Sequence, residues 1–267
     1  MQFRCNLARL TGSARVRRVL GHVPRDLQRR AFTPLCLGDR IRRVGGSNPP
    51  FPTSQEAPLE FTEILRRRRM VRRYRAEPVS VTQIERIVGT ALRAPSAGFS
   101  QGQSFVIVTD RATRRRIAEL AGESGYLARG FEPWISEAPA VLVVSTSEEA
   151  YRERYREPDK LGPDGKLGRD IPYWYVDAGC SMMLALLAAV EEGLAAGFLG
   201  AHRLGGLREL LGIPQEVCPI GLITIGKPAS DRRSSSIARG RRPQAEVVHW
   251  ERWGAKCPAR HRRSDHL

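Results

Sequence analysis

The stretch RRRRMVRRY, residues 66–74, is the most distinctive part of this 267-residue chain. Apolar residues at helical spacing precede it, at Phe61, Ile64 and Leu65, and predict a first helix that ends in the arginines. Guanidinium groups bind phosphate through paired, charge-assisted hydrogen bonds. Residues 66–74 alone therefore fit two interpretations, a solvated basic surface that binds nucleic acid or an anion site in a folded domain.

Two other segments, far along the chain, carry related chemistry. The segment APSAGFSQ, residues 94–101, places small residues at the end of a second predicted helix, where backbone N–H groups can approach a planar ring. The segment RGRRP, residues 239–243, brings further arginines near the end of the predicted domain. A phosphate-bearing aromatic ligand with polar edges needs both kinds of group, so the three segments together predict a site for such a ligand.

Hydrophobic periodicity predicts interleaved helices and strands from Leu59 onward. A capping box, Ser80-Val81-Thr82-Gln83, begins the second helix, and Pro95 ends it. The remaining helices are predicted at residues 111–121, 173–193 and 204–211, and the strands at residues 104–109, 140–145, 196–199 and 220–225. This alternation predicts one α+β domain of the mixed α/β type over residues 59–253.

Three segments are predicted to lie outside regular structure. Residues 1–58 lack sustained periodicity and end in a Gly/Pro/Ser-rich stretch, which predicts a disordered leader. An alternative hypothesis is a mis-assigned start, because residues 46–49 can be encoded by GGT TCG AAT CC, the signature of a transfer-RNA T-arm; initiation would then fall at Leu59. Residues 254–267 are predicted to be a disordered basic tail, and residues 148–168 a mobile, charged excursion.

The net charge of +16 does not by itself indicate a nucleic-acid partner. The 44 basic residues include only four lysines, a bias that GC-rich codons produce, and residues 1–58 hold half of the excess charge. We therefore expect no nucleic-acid partner.

The longest apolar stretch, Met182–Val190, is too short to cross a bilayer, and no signal-peptide pattern opens the chain. We expect no membrane association and a cytoplasmic location.

Other motifs that could carry chemistry fail on inspection. The five cysteines show no zinc-ligand spacing, so no metal is predicted. Residues 221–228, GLITIGKP, nearly spell a P-loop but lack the Ser or Thr that binds magnesium. No Gly-x-Gly-x-x-Gly motif follows a strand, which argues against a Rossmann domain. His202 and His249 have no nucleophile and acid at a spacing that would indicate a catalytic triad.

The three basic and small-residue segments together resemble the nitroreductase family. Its signature begins with Arg-Arg-Ser-x-Arg-x-Phe, continues with Ala-Pro-Ser-x-x-x-x-Gln, and ends with a basic pair before a proline; the resemblance covers about Leu59–Trp253. It implies a nitroreductase-like fold, a central mixed sheet flanked by helices. It also implies a homodimer that binds flavin mononucleotide (FMN) at its interface, so that each site needs both chains. The apolar helix Val176–Val190 is then a candidate for the dimer core.

The resemblance also implies which residues contact FMN. They are Arg68, Arg69, Met70, Arg72, Pro95, Ser96, Ala97, Gln101, Leu199, Gly200, Ala201, Arg239 and Arg241. Arg72 would approach the N1/O2 edge of the flavin, and Arg68 and Met70 the ribityl phosphate and the ring edge. Arg239 and Arg241 would hold the phosphate. The second chain of the dimer would supply Pro95, Ser96 and Ala97, with Gln101 nearby, and residues 199–201 would offer backbone donors to the ring.

The implied activity is ping-pong hydride transfer from NADH or NADPH, through FMN, to a nitroaromatic, quinone or similar flat acceptor. Flavin N5 carries the hydride, and no side chain acts as catalyst; Arg72 would stabilise negative charge on the reduced ring. Flavin fragmentation, dehalogenation and a deazaflavin donor are alternatives within the family. Outside the family, the alternative is a basic nucleic-acid-binding protein.

Several positions depart from the family's pattern and bear on the substrate. Met70 stands where the family has serine, Phe99 where many members have asparagine, and Gly102-Gln103 where many have Pro-Trp. Residues 148–175 fall where the family varies its substrate lid. In that segment Pro172-Tyr173-Trp174-Tyr175 offers aromatic rings, which could equally stack on a flat acceptor or pack in the dimer.

Overall fold

A single antiparallel sheet forms the middle of the domain. The computed structural model describes residues 59–161, 172–231 and 235–256, all of which belong to one structural unit, residues 52–267. The strands are β1 (Gln103–Val108), β2 (Ala140–Ser147), β3 (Ala195–Gly200) and β4 (Val217–Gly226). They pair in the order β1-β2-β4-β3. β2 and β4 read as near-continuous apolar runs because helices cover both faces of the central strands.

Eight helices surround the sheet in the described part of the chain. They are α1 (Phe61–Arg67), α2 (Val81–Ala91), α3 (Arg111–Leu120), α4 (Glu123–Leu127), α5 (Glu148–Arg154), α6 (Tyr173–Glu191), α7 (Leu207–Leu211) and α8 (Gln244–Val247). Side-chain caps begin three of them, α2, α3 and α5. The predicted capping box of α2 is present, because Ser80 Oγ accepts from Gln83 N–H while the Gln83 side chain accepts from Ser80 N–H. Asp110 caps α3 in a related way by accepting from Thr113 N–H.

The core has one layer on each face of the sheet. Successive residues of β2 point to opposite faces, so Leu142 and Val144 pack in one layer while Val141 and Val143 pack in the other. The first layer includes buried residues of α2 and α6, among them Ile84, Ile87, Ala185, Leu186 and Ala189. The second includes buried residues of α3, α7 and the loop before β2, among them Ile117, Ala118, Trp134, Ile135 and Leu207.

α6 is the central helix of the fold. Among the described residues it is the one helix long and apolar enough to cross a membrane, by length and composition alone. Its buried residues pack against α2 and the sheet, in the same layer as Leu142 and Ile223. This packing is that of a core helix, as the sequence predicted for residues 173–193.

The predicted α+β fold is confirmed, with two refinements and one correction. The four strands pair only in antiparallel fashion, and the parallel pairing in the described residues is the isolated bridge between Met70 and Ala196. The first residues of the predicted tail form a turn, in which Trp250 N–H donates to the Ala255 carbonyl. The expectation that residues 148–168 form a mobile excursion is wrong for its first part, which is α5, capped by Ser147. Residues 1–58, 162–171 and 257–267 lie outside the described residues, so the leader hypotheses stay predictions.

Candidate functional site

The arginine run leaves α1 as an extended segment at the edge of the sheet. This edge segment, residues 68–75, meets β3 at the Met70–Ala196 bridge, where Val71 N–H donates to the Ala196 carbonyl at 3.0 Å. Further along, it pairs with the chain that leaves β4, because Arg75 N–H donates to the Lys227 carbonyl and Ala229 N–H donates to the Arg73 carbonyl. Main-chain hydrogen bonds to β3 and to the chain after β4 therefore hold the predicted site segment in place.

A buried tyrosine and a glycine bring the edge segment close to the sheet. The Tyr74 hydroxyl lies 2.9 Å from the Val71 carbonyl and 2.7 Å from Thr224 Oγ1 on β4. Burial raises the pKa of Tyr74 well above its usual range, so its hydroxyl stays protonated and can donate. On β3, a Cβ at Gly197 would collide with the Val71 carbonyl oxygen. Glycine at this position therefore permits the close approach.

Arg72 is fixed at both its backbone and its side chain. Its N–H donates to an Asp231 carboxylate oxygen at 2.8 Å, and its guanidinium carbon lies 5.6 Å from the centre of the Trp134 ring. Trp134 is buried, and its loop is held by Glu123, whose carboxylate accepts from Trp134 N–H at 2.7 Å and from Ile135 N–H at 2.6 Å. A cation over an aromatic face is attracted to it. Arg72 is thus a half-buried positive charge with a defined position.

The end of β3 offers fewer backbone donors than the sequence implied. The Ala196 carbonyl accepts from Val71 on the outer side of β3, so Ala196 turns its polar backbone groups away from β4. Alternate residues of a strand face the same edge, and Gly200 therefore also faces outward. Leu199 faces β4, and its carbonyl oxygen lies close to Gly221. Of the three predicted donors, Gly200 keeps an outward N–H, while Ala201 begins a 3-10 turn.

The APS loop, residues 94–102, is tied to α6 by a buried carboxylate. Ala97 N–H donates to Asp177 Oδ2 at 2.8 Å, so this amide is already engaged and cannot serve as the flavin donor that the sequence implied. Ser96 Oγ accepts from Gln101 N–H at 3.0 Å, while Pro95 and Gln101 are exposed. Ser96 keeps its hydroxyl proton for another acceptor.

The two predicted halves of the site lie at opposite ends of α6. The APS loop contacts Asp177 near the start of the helix. The edge segment borders its end, where Arg67, Arg69 and Val190 are among the residues that line a cavity of about 190 Å³. At 1.5 Å per residue, Asp177 and Val190 are roughly 20 Å apart along the helix. This distance exceeds the span of a three-ring flavin system, so the described chain does not bring both halves to one ring.

The remaining predicted contacts lie after β4. Arg239 ends the 3-10 turn Ser235–Arg239, Arg241 follows Gly240, and both arginines are exposed. No contact in the described residues joins them to Arg68. The chain before them, up to Asp231, lies beside Arg72.

The sequence did not predict four residues that contact the site segments. They are Trp134, Asp177, Asp231 and Tyr151, and the contacts that give them a role join distant parts of the chain.

The family assignment follows from comparison with known proteins. A sequence profile described as the Nitroreductase family matches residues 65–227, more than half of the chain. The chain belongs to the nitroreductase family. The predicted family membership and the nitroreductase-like fold are confirmed. The matched range includes the edge segment, the APS loop and the end of β3, and it ends before Arg239 and Arg241.

Individual nitroreductase relatives cover most of the domain. A protein named FMN reductase (NAD(P)H) from Bacillus subtilis is 31% identical over 195 residues, which is 72% of this chain and 74% of the relative. Iodotyrosine deiodinase from Nematostella vectensis is 26% identical over 220 residues, covering 74% of this chain and 81% of the relative. A solved structure of NADPH:FMN oxidoreductase from Vibrio harveyi, complexed with NAD+, is 26% identical with a TM-score of 0.56. That match covers 72% of this chain and 77% of the other.

Metal ligands are not clustered in the described part of this nitroreductase. Across residues 59–161, 172–231 and 235–256, no group of three or more His, Cys, Asp or Glu side chains could hold a metal ion. The charged groups that the fold brings together near β3 include arginines and the carboxylate of Asp231.

Proposed function

We propose that this protein transfers hydride from NADH or NADPH, through FMN, to a nitroaromatic, quinone or similar flat acceptor in a ping-pong cycle. The enzyme class, an FMN-dependent NAD(P)H oxidoreductase, and the predicted cofactors are confirmed by family membership and by the functions named for its relatives. The acceptor and the order of steps are the proposed part. The observation that carries the proposal is the position of Arg72, a cation that Asp231 and Trp134 fix at the edge of the sheet.

The residues present fit FMN. The phosphate of FMN would be bound by guanidinium groups. Arg68 and Arg69 of the edge segment can supply them, and Arg239 and Arg241 would complete the phosphate site. The polar edge of the flavin ring would bind a cation and a backbone N–H donor, and Arg72 and Gly200 fit those roles. When bound, FMN supplies the hydride chemistry at N5. Arg72 would then stabilise negative charge at the N1/O2 edge without moving, because Trp134 and Asp231 already hold it.

A homodimer would bring the two halves of the site together. α1 and α6 contact each other and carry large apolar side chains that are exposed in one chain. These are Phe61, Leu65, Tyr173, Val176 and Met183, with Phe61 exposed by 62% and Val176 by 52%. Exposed apolar patches on this scale are typical of protein interfaces. Pairing across this face would place the APS loop of one chain near the edge segment of the other. The cytoplasmic location stays a prediction.

Reductive dehalogenation is the second candidate function. It is favoured by the similarity to an iodotyrosine deiodinase, which extends over 220 residues. The two candidates share FMN and differ in the acceptor. Flavin fragmentation, a deazaflavin donor and nucleic-acid binding have no comparable support among the named relatives.

The decisive experiment follows bound FMN in the purified full-length protein. We expect a yellow protein whose flavin absorbance is bleached by NADH or NADPH in a stopped-flow instrument. Nitroaromatics or quinones should then restore the absorbance of the reduced protein, whereas halogenated tyrosines should not. Rapid reoxidation by halogenated tyrosines with halide release would select the second candidate. A protein that fails to bind added FMN would exclude both.

A further inference from the structure

We propose that Tyr151 and Asp177 are positioning residues that hold the APS loop in the geometry required for flavin binding. Nothing in the sequence patterns of the site assigns them a role, because they lie on α5 and α6 rather than in the predicted flavin segments. The inference rests on the proposed function, since it assumes that the APS loop contacts FMN. It adds a buried pair of groups on which that contact depends.

The two donors that define the pair converge on one oxygen atom. Asp177 Oδ2 accepts from the Tyr151 hydroxyl at 2.7 Å and from Ala97 N–H at 2.8 Å. Both side chains are buried, with 4% of Tyr151 and 6% of Asp177 exposed. Burial raises the pKa of Tyr151 well above its usual range, and the nearby Asp177 carboxylate adds to the rise. The tyrosine is therefore a protonated donor, and it orients the carboxylate that holds Ala97.

α5 contacts the rest of the APS loop as well. Arg154 Nε donates to the Gly98 carbonyl at 2.8 Å, and Ser147 N–H donates to the Gly102 carbonyl at 2.9 Å. The loop also lies close against aromatic rings of this segment. A Cβ at Gly98 would lie 2.8 Å from Tyr155, and a Cβ at Gly102 would lie 2.6 Å from Tyr151. A residue larger than glycine at position 102 would therefore not fit beside this tyrosine.

The backbone of the APS loop needs such support. Phe99 and Gln101 adopt positive φ angles of 57° and 50°, which non-glycine residues rarely do and which cost free energy. Burial supplies little compensation, because Pro95, Phe99 and Gln101 are exposed. The loop conformation is therefore held by hydrogen bonds within the loop, such as that from Gln101 N–H to Ser96 Oγ, and by hydrogen bonds to α5 and α6. Losing the Asp177 acceptor would leave the Ala97 N–H and the Tyr151 hydroxyl without their partner.

The test measures FMN affinity in four variants of the full chain. Stripped protein is titrated with FMN, and quenching of flavin fluorescence gives the dissociation constant. Tyr151→Phe removes one donor and keeps the ring, so we expect affinity to fall about tenfold. Asp177→Ala removes the shared acceptor, and we expect a loss of about a hundredfold. Asp177→Asn keeps an oxygen that can accept both bonds and should stay within about threefold of the wild type. Tyr126→Phe, on α4, is the matched control and should not change affinity.

Two further readouts separate positioning from a general loss of structure. The visible circular dichroism of bound flavin should change in Tyr151→Phe, while its thermal midpoint and sedimentation match those of Tyr126→Phe. If Asp177→Ala does not fold, Tyr151→Phe still decides the matter. Unchanged FMN affinity in Tyr151→Phe, or an Asp177→Asn variant as weak as Asp177→Ala, would overturn the proposal. Failure of the wild type to bind FMN would instead overturn the proposed function.

Discussion

At the C-terminal end of α6 the edge segment is held by main-chain hydrogen bonds, whereas at the N-terminal end the APS loop is held by side chains. Val71, Arg75 and the Arg73 carbonyl pair with backbone groups of β3 and of the chain after β4. In the APS loop one main-chain bond, from Ser147 N–H, holds the end at Gly102, and the middle depends on the carboxylate of Asp177 and the guanidinium of Arg154. A backbone-held segment can exchange its side chains and keep its place. A side-chain-held loop can be released by one substitution.

This difference matches what each region has to supply. The edge segment presents arginine side chains, and a rigid backbone fixes where their charges lie. The APS loop presents small residues and backbone. Its serine side chains bond within the loop, and the side chains that tie it to the rest of the fold come from α5 and α6. Substitutions in the edge segment should therefore affect the flavin site by changing its charge. Substitutions that affect the APS loop should act by changing the conformation of the loop.

The largest expected effect is that of Arg72→Leu. The hydrogen bond from its backbone N–H to Asp231 survives the substitution, so the edge segment should keep its place while the half-buried cation disappears. We expect kcat/KM for NADH or NADPH to fall about a hundredfold or more, as when one preorganised electrostatic contact is removed from an active site. Stopped-flow reduction of the bound flavin measures this directly, and FMN absorbance shows that the cofactor is retained.

Arg73→Leu is the matched control for Arg72. Arg73 is the next residue of the same segment, but its guanidinium is exposed and lies 3.9 Å from a Glu132 oxygen and 3.4 Å from the Ser230 carbonyl. Exposed ion pairs contribute at most about 1 kcal/mol, so the rate should change only a few-fold. Equal losses in both variants would show that total charge, rather than the position of Arg72, governs the rate.

A smaller effect is expected from Gly197→Ala, which attacks the backbone support of the edge segment. The new methyl group would collide with the Val71 carbonyl oxygen, and backbone cannot move aside as a flexible side chain can. We expect a loss of about 1–3 kcal/mol in the free energy of unfolding, measured in urea. Gly125→Ala on α4 meets no atom within 4 Å and should instead gain about 0.5–1 kcal/mol. A Gly197→Ala protein as stable as the wild type would mean that the edge segment is not held against β3 as described.

Most of the fold could be predicted because its signals are local. The apolar runs of β2 and β4 and the capping box of α2 each lie within a few residues of sequence, and each predicted element was found within a few residues of its expected place. α5 was missed because its charges suggested a solvated loop. Ser147 at its N-cap and the Glu148–Arg152 pair, four residues apart, were signals that could have revealed it.

The candidate site could be predicted only in its parts. The arginines and the small-residue loop can be recognised as sequence motifs. However, Arg72 hydrogen-bonds to Asp231, which is 159 residues away in the chain, and Ala97 hydrogen-bonds to Asp177, which is 80 residues away. The direction of the Leu199 and Gly200 amides depends on which edge of β3 pairs with Val71. That pairing is a tertiary contact, which the local sequence pattern does not reveal. The sequence therefore predicts the residues that would contact the ligand but not the residues that hold those residues in place.

The smallest expected effect concerns Arg154, which joins α5 to the APS loop. Besides the Gly98 carbonyl, it holds Asp159 at 2.7 Å, and this contact lowers the pKa of the Asp159 carboxyl from 3.8 to about 2. A lowered pKa means that the pair stabilises the fold above about pH 4 and that this contribution is lost as the pH falls toward 2. An NMR titration should show Asp159 ionised down to about pH 2 in the wild type and near its ordinary pKa in Arg154→Met. Stability should barely change, since Asp159 is exposed. An ordinary pKa in the wild type would show that the ion pair does not form, and Arg154 would then be anchored to the APS loop through Gly98 alone.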